Sequence, residues 1–228
     1  LEDVQVIRIA DDRLQMRQLT LASEGKPEFV CLPTIHIGNS DFYKFASAQI
    51  GKCDAAITEG ISHPELNAAI RRTHNLAKGG GNGVSLQSDS VVYETQIFSG
   101  DVSPETFDTS WSRIPKIRKG LFWLAKSLVS RLMRTRTFRK WLLSSDSAFD
   151  SDPRMYLWIG GQQMTDAILT ERNEALFTRC DDMIDDGAHQ KIAVVWGAMH
   201  IAALVQHLGE NHGYSIKDAD WITAMAAD

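Results

Sequence analysis

Apolar positions interspersed with polar ones over Val4–Ile9 and Leu14–Leu21 bracket Asp11-Asp12 and predict an opening β-hairpin. Glu28–Leu32 is a short apolar run of the kind a doubly covered strand shows, and a helix is expected from Asp41 to Ile50. A second short strand is expected at Asp54–Thr58, closed by Glu59-Gly60. The spacing turns helical from His63 to Lys78, with Leu66, Ala69, Ile70 and Leu76 as inward positions. Gly79-Gly80-Gly81-Asn82-Gly83 reads as a loop. The segment expected after it, Val91–Tyr93, is a strand rather than a helix, so the loop does not match a phosphate-binding motif.

Ser103-Pro104-Glu105 carries a helix-start signature, a capping Ser followed by Pro and an acid. Ile117, Leu121, Leu124, Leu128 and Leu132 then recur at helical spacing, and Phe122, Ala125 and Val129 widen the stripe. Ser144–Pro153 is a polar break, and Ile159–Arg179 a third helical region. Lys191–Trp196 is the second core strand, followed by a helix over Ile201–Leu208 closed by Gly209, and Tyr214–Ile216 is a final edge strand. Strands alternating with helices predict an α/β sheet in a single domain over 1–228, with a helical insertion over about 104–150.

Composition narrows the class without naming a function. The chain has 228 residues, 43% of them hydrophobic and 23% charged, as in an ordinary globular protein. Charge is uneven: the formal net charge is −5, yet Trp111–Leu143 holds ten basic residues and no acidic one. A solvated helix face is one reading of that segment. With Trp123 and Trp141 beside Lys and Arg, it also suits a membrane surface, an acidic partner, a lid or a homodimer contact. Nucleic acid is disfavoured, because the rest of the chain is acidic and carries no recognition motif. Three cysteines without CxxC spacing favour a reducing, cytoplasmic setting. No secretory signal is seen, and because the chain begins at Leu, a leader or further domain can precede it.

Candidate chemistry comes from a pattern that occurs twice. Val30-Cys31-Leu32-Pro33-Thr34-Ile35-His36-Ile37 and Val194-Val195-Trp196-Gly197-Ala198-Met199-His200-Ile201 each run from an apolar strand through a turn residue to His-Ile. Such units deliver side chains to the carboxyl edge of a sheet, where open α/β folds place their ligands. Paired imidazoles there suit a metal or acid–base chemistry. Glu59 ends a strand at the same edge and is a candidate metal ligand or general base. Arg172, within Glu171-Arg172-Asn173, would clamp a carboxylate or stabilise an oxyanion if the fold brings it there. His207, two helical turns after His200, is a candidate supporting group for it; His63, His74, His189 and His212 lack such context and read as surface or packing residues.

Taken together, these motifs resemble the TraB/PrgY/Tiki family, within a superfamily that includes erythromycin-esterase-like and ChaN-like haem-binding proteins. Gly197-Ala198-Met199-His200 matches the second GxxH of that family, and Pro33-Thr34-Ile35-His36 the first with Pro replacing Gly. Glu59 stands where the strand-end Glu is expected, and Glu171-Arg172-Asn173 fits the internal triplet. The resemblance implies duplicated α/β halves around a central mixed sheet, with the site between them. It also implies a metal-dependent peptidase. On this expectation His36, His200 and Glu59 hold Mn²⁺ or Co²⁺, with Glu59 alternatively the base, and Arg172 and Asn173 bind a peptide or small-molecule substrate; the donor set itself also suits Zn²⁺. Amide, ester and lactone bonds all stay open as targets. A non-catalytic regulatory or peptide-binding member, or a haem-binding one using His36 or His200, is the alternative.

Overall fold

The computed structural model describes residues 4–61, 64–77, 84–144 and 160–226. Asp11 and Asp12 both take positive φ, 52° and 56°, a two-residue turn whose twist matches that of a hairpin. It joins β1 (Ile7–Ala10) to β2 (Arg13–Ala22) as antiparallel neighbours. The chain continues through β3 (Glu28–Thr34), β4 (Ile37–Asn39), α1 (Ser40–Ile50), β5 (Ala55–Thr58) and α2 (Pro64–Asn75). Next come β6 (Val84–Leu86), which pairs with β4, then α3 (Gln87–Ser90) and β7 (Gln96–Ser99). Three helices follow, α4 (Pro104–Arg113), α5 (Lys116–Leu132) and α6 (Arg136–Leu143). A short α7 (Gln162–Thr165) runs through one π-helical turn, Asp166–Thr170, into α8 (Glu171–Asp186). The last elements are β8 (Lys191–Gly197), α9 (Ala198–His212) and β9 (Ser215–Ala226).

The protein is α/β, with a central mixed sheet of seven strands flanked by helices. Its order is β1-β2-β3-β8-β5-β7, with β9 on β2. Strands β3, β8, β5 and β7 are parallel, so their carboxyl ends share one edge. The two copies of the repeated pattern lie side by side as the central pair β3 and β8, with Thr34 opposite Gly197.

Alternate residues of these strands face opposite layers. Phe29, Cys31, Ile192, Val194, Trp196 and Ile57 join the main core with Leu176 and Cys180 of α8 and Ile201 and Leu204 of α9. Val30, Leu32, Ala56, Ala193 and Val195 form a second cluster with Ile50 of α1. Coverage on both faces explains why these strands read as nearly continuous apolar runs. All three cysteines are free and buried, and burial raises their thiol pKa values.

Several boundaries differ from the sequence reading. Val91–Tyr93 is not a strand; the pairing is made by Gln96–Ser99, an edge strand whose exposed residues give little apolar signal. The last helix runs through Gly209 and ends at His212, because Gly213 takes the left-handed cap at φ 71°. The final strand is longer than Tyr214–Ile216, since β9 pairs with β2 over Ser215–Ala226. On α2, Ala69 and Ile70 are only half-buried, and Thr73 and His74 are the buried positions instead. The stripe of α5 faces outward: Ile117, Leu121, Leu124 and Leu128 are exposed, while Met133 and Ser130 turn inward. His63, the Gly79–Gly83 loop, Ile159 and most of the Ser144–Pro153 break lie outside the described residues. Among the described residues, no helix is long and apolar enough to cross a membrane.

Gly100, just past β7, has no room for a side chain. A Cβ there would stand 2.6 Å from Ile57 Cγ2 and 2.8 Å from Trp196 Cζ3, both in the core. Gly100→Ala is therefore expected to cost about 1–3 kcal/mol, lowering Tm by about 2–4 °C for each kcal/mol. Thermal unfolding followed by circular dichroism checks this, and an unchanged Tm would contradict the packing described.

Candidate functional site

Four parallel strands end at one edge, and each is followed at once by a polar or ionisable group. Thr34 of β3 leads to His36, β5 to Glu59, β7 to Asp101 and β8 to His200 in the first turn of α9. The fifth participant, Arg172, arrives from the first turn of α8, directly after the π-helical turn. Such turns insert one extra residue into a helix and are frequent at functional sites.

Arg172 is the hub. Its Nε donates to Asp101 Oδ1 at 2.9 Å, and its Nη2 donates to Asp101 Oδ2 at 2.6 Å and to Glu59 Oε1 at 2.8 Å. Asp101 is fully enclosed at its side chain and also accepts from Gly60 N and Val102 N, both at 3.0 Å. The remaining oxygen of Glu59, Oε2, accepts from Gly197 N at 2.7 Å. Gly197 is needed for this approach, because a Cβ there would meet Glu59 Oε2 at 3.0 Å. Both oxygens of Glu59 are thus engaged, and three strand ends are joined through two carboxylates and one guanidinium.

The electrostatics follow from this pairing. Burial alone would raise the pKa of Glu59, but Arg172, His36 and His200 outweigh it and hold the carboxyl at about 2. Burial opposes the charge of Arg172 as well, and Glu59 and Asp101 more than restore it. A carboxylate held this low is a poor proton acceptor at neutral pH.

The imidazoles take the opposite course. His200 is 3% exposed, and burial lowers its pKa to about 4 against the pull of Glu59. Its Nδ1 lies 2.7 Å from Asn173 Oδ1. An amide oxygen only accepts, so Nδ1 carries the proton and Nε2 presents a lone pair. His36 stacks on His74 with ring centroids 4.8 Å apart, and burial lowers its pKa too, with Lys126 and Arg172 acting in the same direction. Although the protein crowds around it, His36 keeps an exposed surface, so it is the group of this cluster that a solute meets first. Lys126, on the inner side of α5, is drawn down to about 8 by burial, with Glu59 opposing. Thr34 Oγ1 and Trp196 Nε1 are buried at the same edge without a hydrogen-bond partner.

His36, Glu59, Arg172, Asn173 and His200 thus gather at one edge, but with other partners than expected. Asn173 holds His200, and Arg172 is paired with two carboxylates through Nε and Nη2. The donor types suit the metal implied by the resemblance, but their arrangement does not assemble a site for it. Among the described residues, one group of three His, Cys, Asp or Glu side chains has ligand atoms all within 4.8 Å, and it is Asp181, His207 and His212. His36, Glu59 and His200 do not form such a group, and Glu59 would have to leave Arg172 and Gly197 to serve as a ligand.

His207 does not support His200: it bonds Asp181, near the far end of α9. His74, read as a packing or surface residue, is buried and packs by stacking on His36. Asp101 and Lys126 are further participants. A strand assigned over Gln96–Ser99 would have exposed Asp101 as its partner to Glu59, and an inward-facing Lys on a basic helix has no signal in sequence.

Two outcomes follow from these charges. Arg172→Met leaves two buried carboxylates unpaired and is expected to destabilise the fold by about 3–5 kcal/mol; urea unfolding within about 1 kcal/mol of wild type would contradict the hub role. His200 and His74, at about 4 and about 2, stay neutral in the folded chain at pH values where the unfolded chain protonates both. The unfolded state then binds more protons, so stability falls as pH drops below about 6.5. Glu59 adds to the loss between its ordinary range and about 2. His200→Gln is expected to flatten the slope of unfolding free energy against pH between about 6.5 and 4, and an unaltered slope would contradict the assignment.

Comparison with protein-family models, curated proteins and solved structures finds no match to this chain.

Proposed function

We propose that this protein is a hydrolase of an ester or amide bond, in which a neutral imidazole at the carboxyl edge of the parallel strands activates water. The observation that carries this reading is the company of two neutral imidazoles, His36 and His200, around a carboxylate whose oxygens are both engaged. The resemblance of the four motifs to the TraB/PrgY/Tiki family supports the same class.

In this reading His36, the exposed member, takes a proton from water and returns it to the leaving group. Asn173 fixes His200 in one tautomer, so Nε2 accepts a hydrogen bond from the same water and positions it. Glu59, Arg172 and Asp101 hold the strand ends in register. Lys126 is still charged at neutral pH and supplies positive potential for a developing oxyanion.

Metal-assisted hydrolysis is the second reading, favoured by two imidazoles and a carboxylate at one edge. It differs in needing Glu59 released from Arg172. Turnover of p-nitrophenyl esters and fluorogenic peptides, with and without EDTA, separates the readings. Chelator-resistant turnover is expected, falling about 10²–10⁴-fold in His36→Ala. Turnover that requires added Mn²⁺, Co²⁺ or Zn²⁺ would favour the metal, and peptide or haem binding without turnover would favour a regulatory or haem-handling role.

The outer face of α5 suggests where the protein works. Ile117 and Leu124 are 76% and 67% exposed, with Leu121 and Leu128 beside them. Lys116, Arg131, Arg134, Arg136 and Lys140 are exposed on α5, α6 and the turn between them. Apolar side chains ringed by cations match an anionic bilayer, where each basic group contributes about 1 kcal/mol. Co-sedimentation is expected with phosphatidylserine-containing vesicles and not with phosphatidylcholine alone, and it should be lost in high salt or in L124E/L128E. Self-association in solution without vesicle binding would assign the face to a second copy instead.

A further inference from the structure

A second polar cluster lies at the other end of α9 from His200. Asp181 of α8 and His207 and His212 of α9 converge there, with both imidazole Nε2 atoms 2.8 Å from the same carboxylate oxygen, Oδ1. His207 and His212 lie 7 and 12 residues after His200, a separation of about 10–18 Å along the helix. The cluster is therefore independent of the edge that carries Glu59 and Arg172.

We propose that Asp181, His207 and His212 bind a divalent transition metal, with Zn²⁺ the best match. Two imidazole nitrogens and one carboxylate oxygen leave an open fourth position in a tetrahedral shell, the donor set and number that Zn²⁺ accepts. Three further features suit a ligand cluster better than an ordinary surface ion pair.

First, the side chains are partly enclosed, at 17% and 18% exposure for the two imidazoles and 36% for Asp181. Second, His207 is held in plane by Phe177, stacked 4.4 Å away at an interplanar angle of 8°, so its ring is oriented before any ion arrives. Third, the other ring nitrogen of His207, Nδ1, lies 3.0 Å from Asn211 Nδ2, an amide that by turning over presents its oxygen to that nitrogen. A ligating histidine usually gives its second N–H to such a partner.

Metal binding moves the proton of His207 from Nε2 to Nδ1. The Asn211 amide then turns its oxygen inward to accept it, and the metal takes the Nε2 lone pair. The main chain at His212 is anchored as well, its carbonyl accepting from Ser23 Oγ at 3.1 Å and Lys26 Nζ at 3.0 Å. The helix end carrying the second imidazole is thereby tied to the turn after β2.

Metal content would then not report on the edge cluster. Zn²⁺ titration by calorimetry, with Co²⁺ absorption as a second readout, tests this on the full chain. One equivalent is expected, with an intense tetrahedral Co²⁺ spectrum. Affinity should fall at least about tenfold in His207→Gln and in Asp181→Asn, which keeps the side-chain shape, and stay unchanged in His36→Ala and His200→Gln. Binding that ignores His207→Gln and Asp181→Asn, or no binding at all, would overturn the proposal. Loss in His200→Gln but not in His207→Gln would place the ion at the other cluster and also overturn it.

Discussion

The structure depends on one buried guanidinium. Arg172 binds Glu59 at the end of β5 and Asp101 at the end of β7, while Glu59 reaches the backbone of Gly197 at the end of β8. Burying three charges is costly unless each is satisfied, and here every carboxylate oxygen has a donor. This constraint fixes the spacing of three parallel strands at the edge where His36 and His200 emerge. It also decides the chemistry available, because the carboxylate best placed to act as a base is already spent on structure.

That leaves nitrogen as the proton acceptor. Burial keeps His200 neutral, Asn173 selects which of its nitrogens presents the lone pair, and the pKa of His36 is shifted in the same direction. Stability and reactivity are coupled through the same groups: the neutral histidines that suit general-base chemistry make the fold sensitive to acid. The outward face of α5 and the inward Lys126 show a helix with two duties, one toward the edge cluster and one toward solvent.

Much of this could be read before the structure. The strands at Glu28–Leu32 and Lys191–Trp196 announce themselves because both their faces are covered, and the paired His motifs follow from the turns behind them. His36, Glu59 and His200 are placed at one edge by their positions after strands, and Arg172 and Asn173, which only the resemblance singles out, lie beside them. Their partnerships were not legible, because a hydrogen bond between residues 113 positions apart leaves no periodicity. Asp101 is silent in sequence for a different reason: an exposed edge strand such as Gln96–Ser99 lacks the apolar signal by which strands are recognised. The stripe of α5 leaves a solvated face, a membrane surface, a lid and a dimer contact all open in sequence, and packing shows which of its side chains face outward.

The most direct test of the account is the tautomer and charge of His200, read from side-chain ¹⁵N resonances across a pH series with and without Mn²⁺. The account predicts a neutral ring protonated at Nδ1 down to at least about pH 5, with shifts unmoved by the metal. Protonation at Nε2, a titration near the ordinary histidine value, or a stoichiometric shift on adding Mn²⁺ would contradict it.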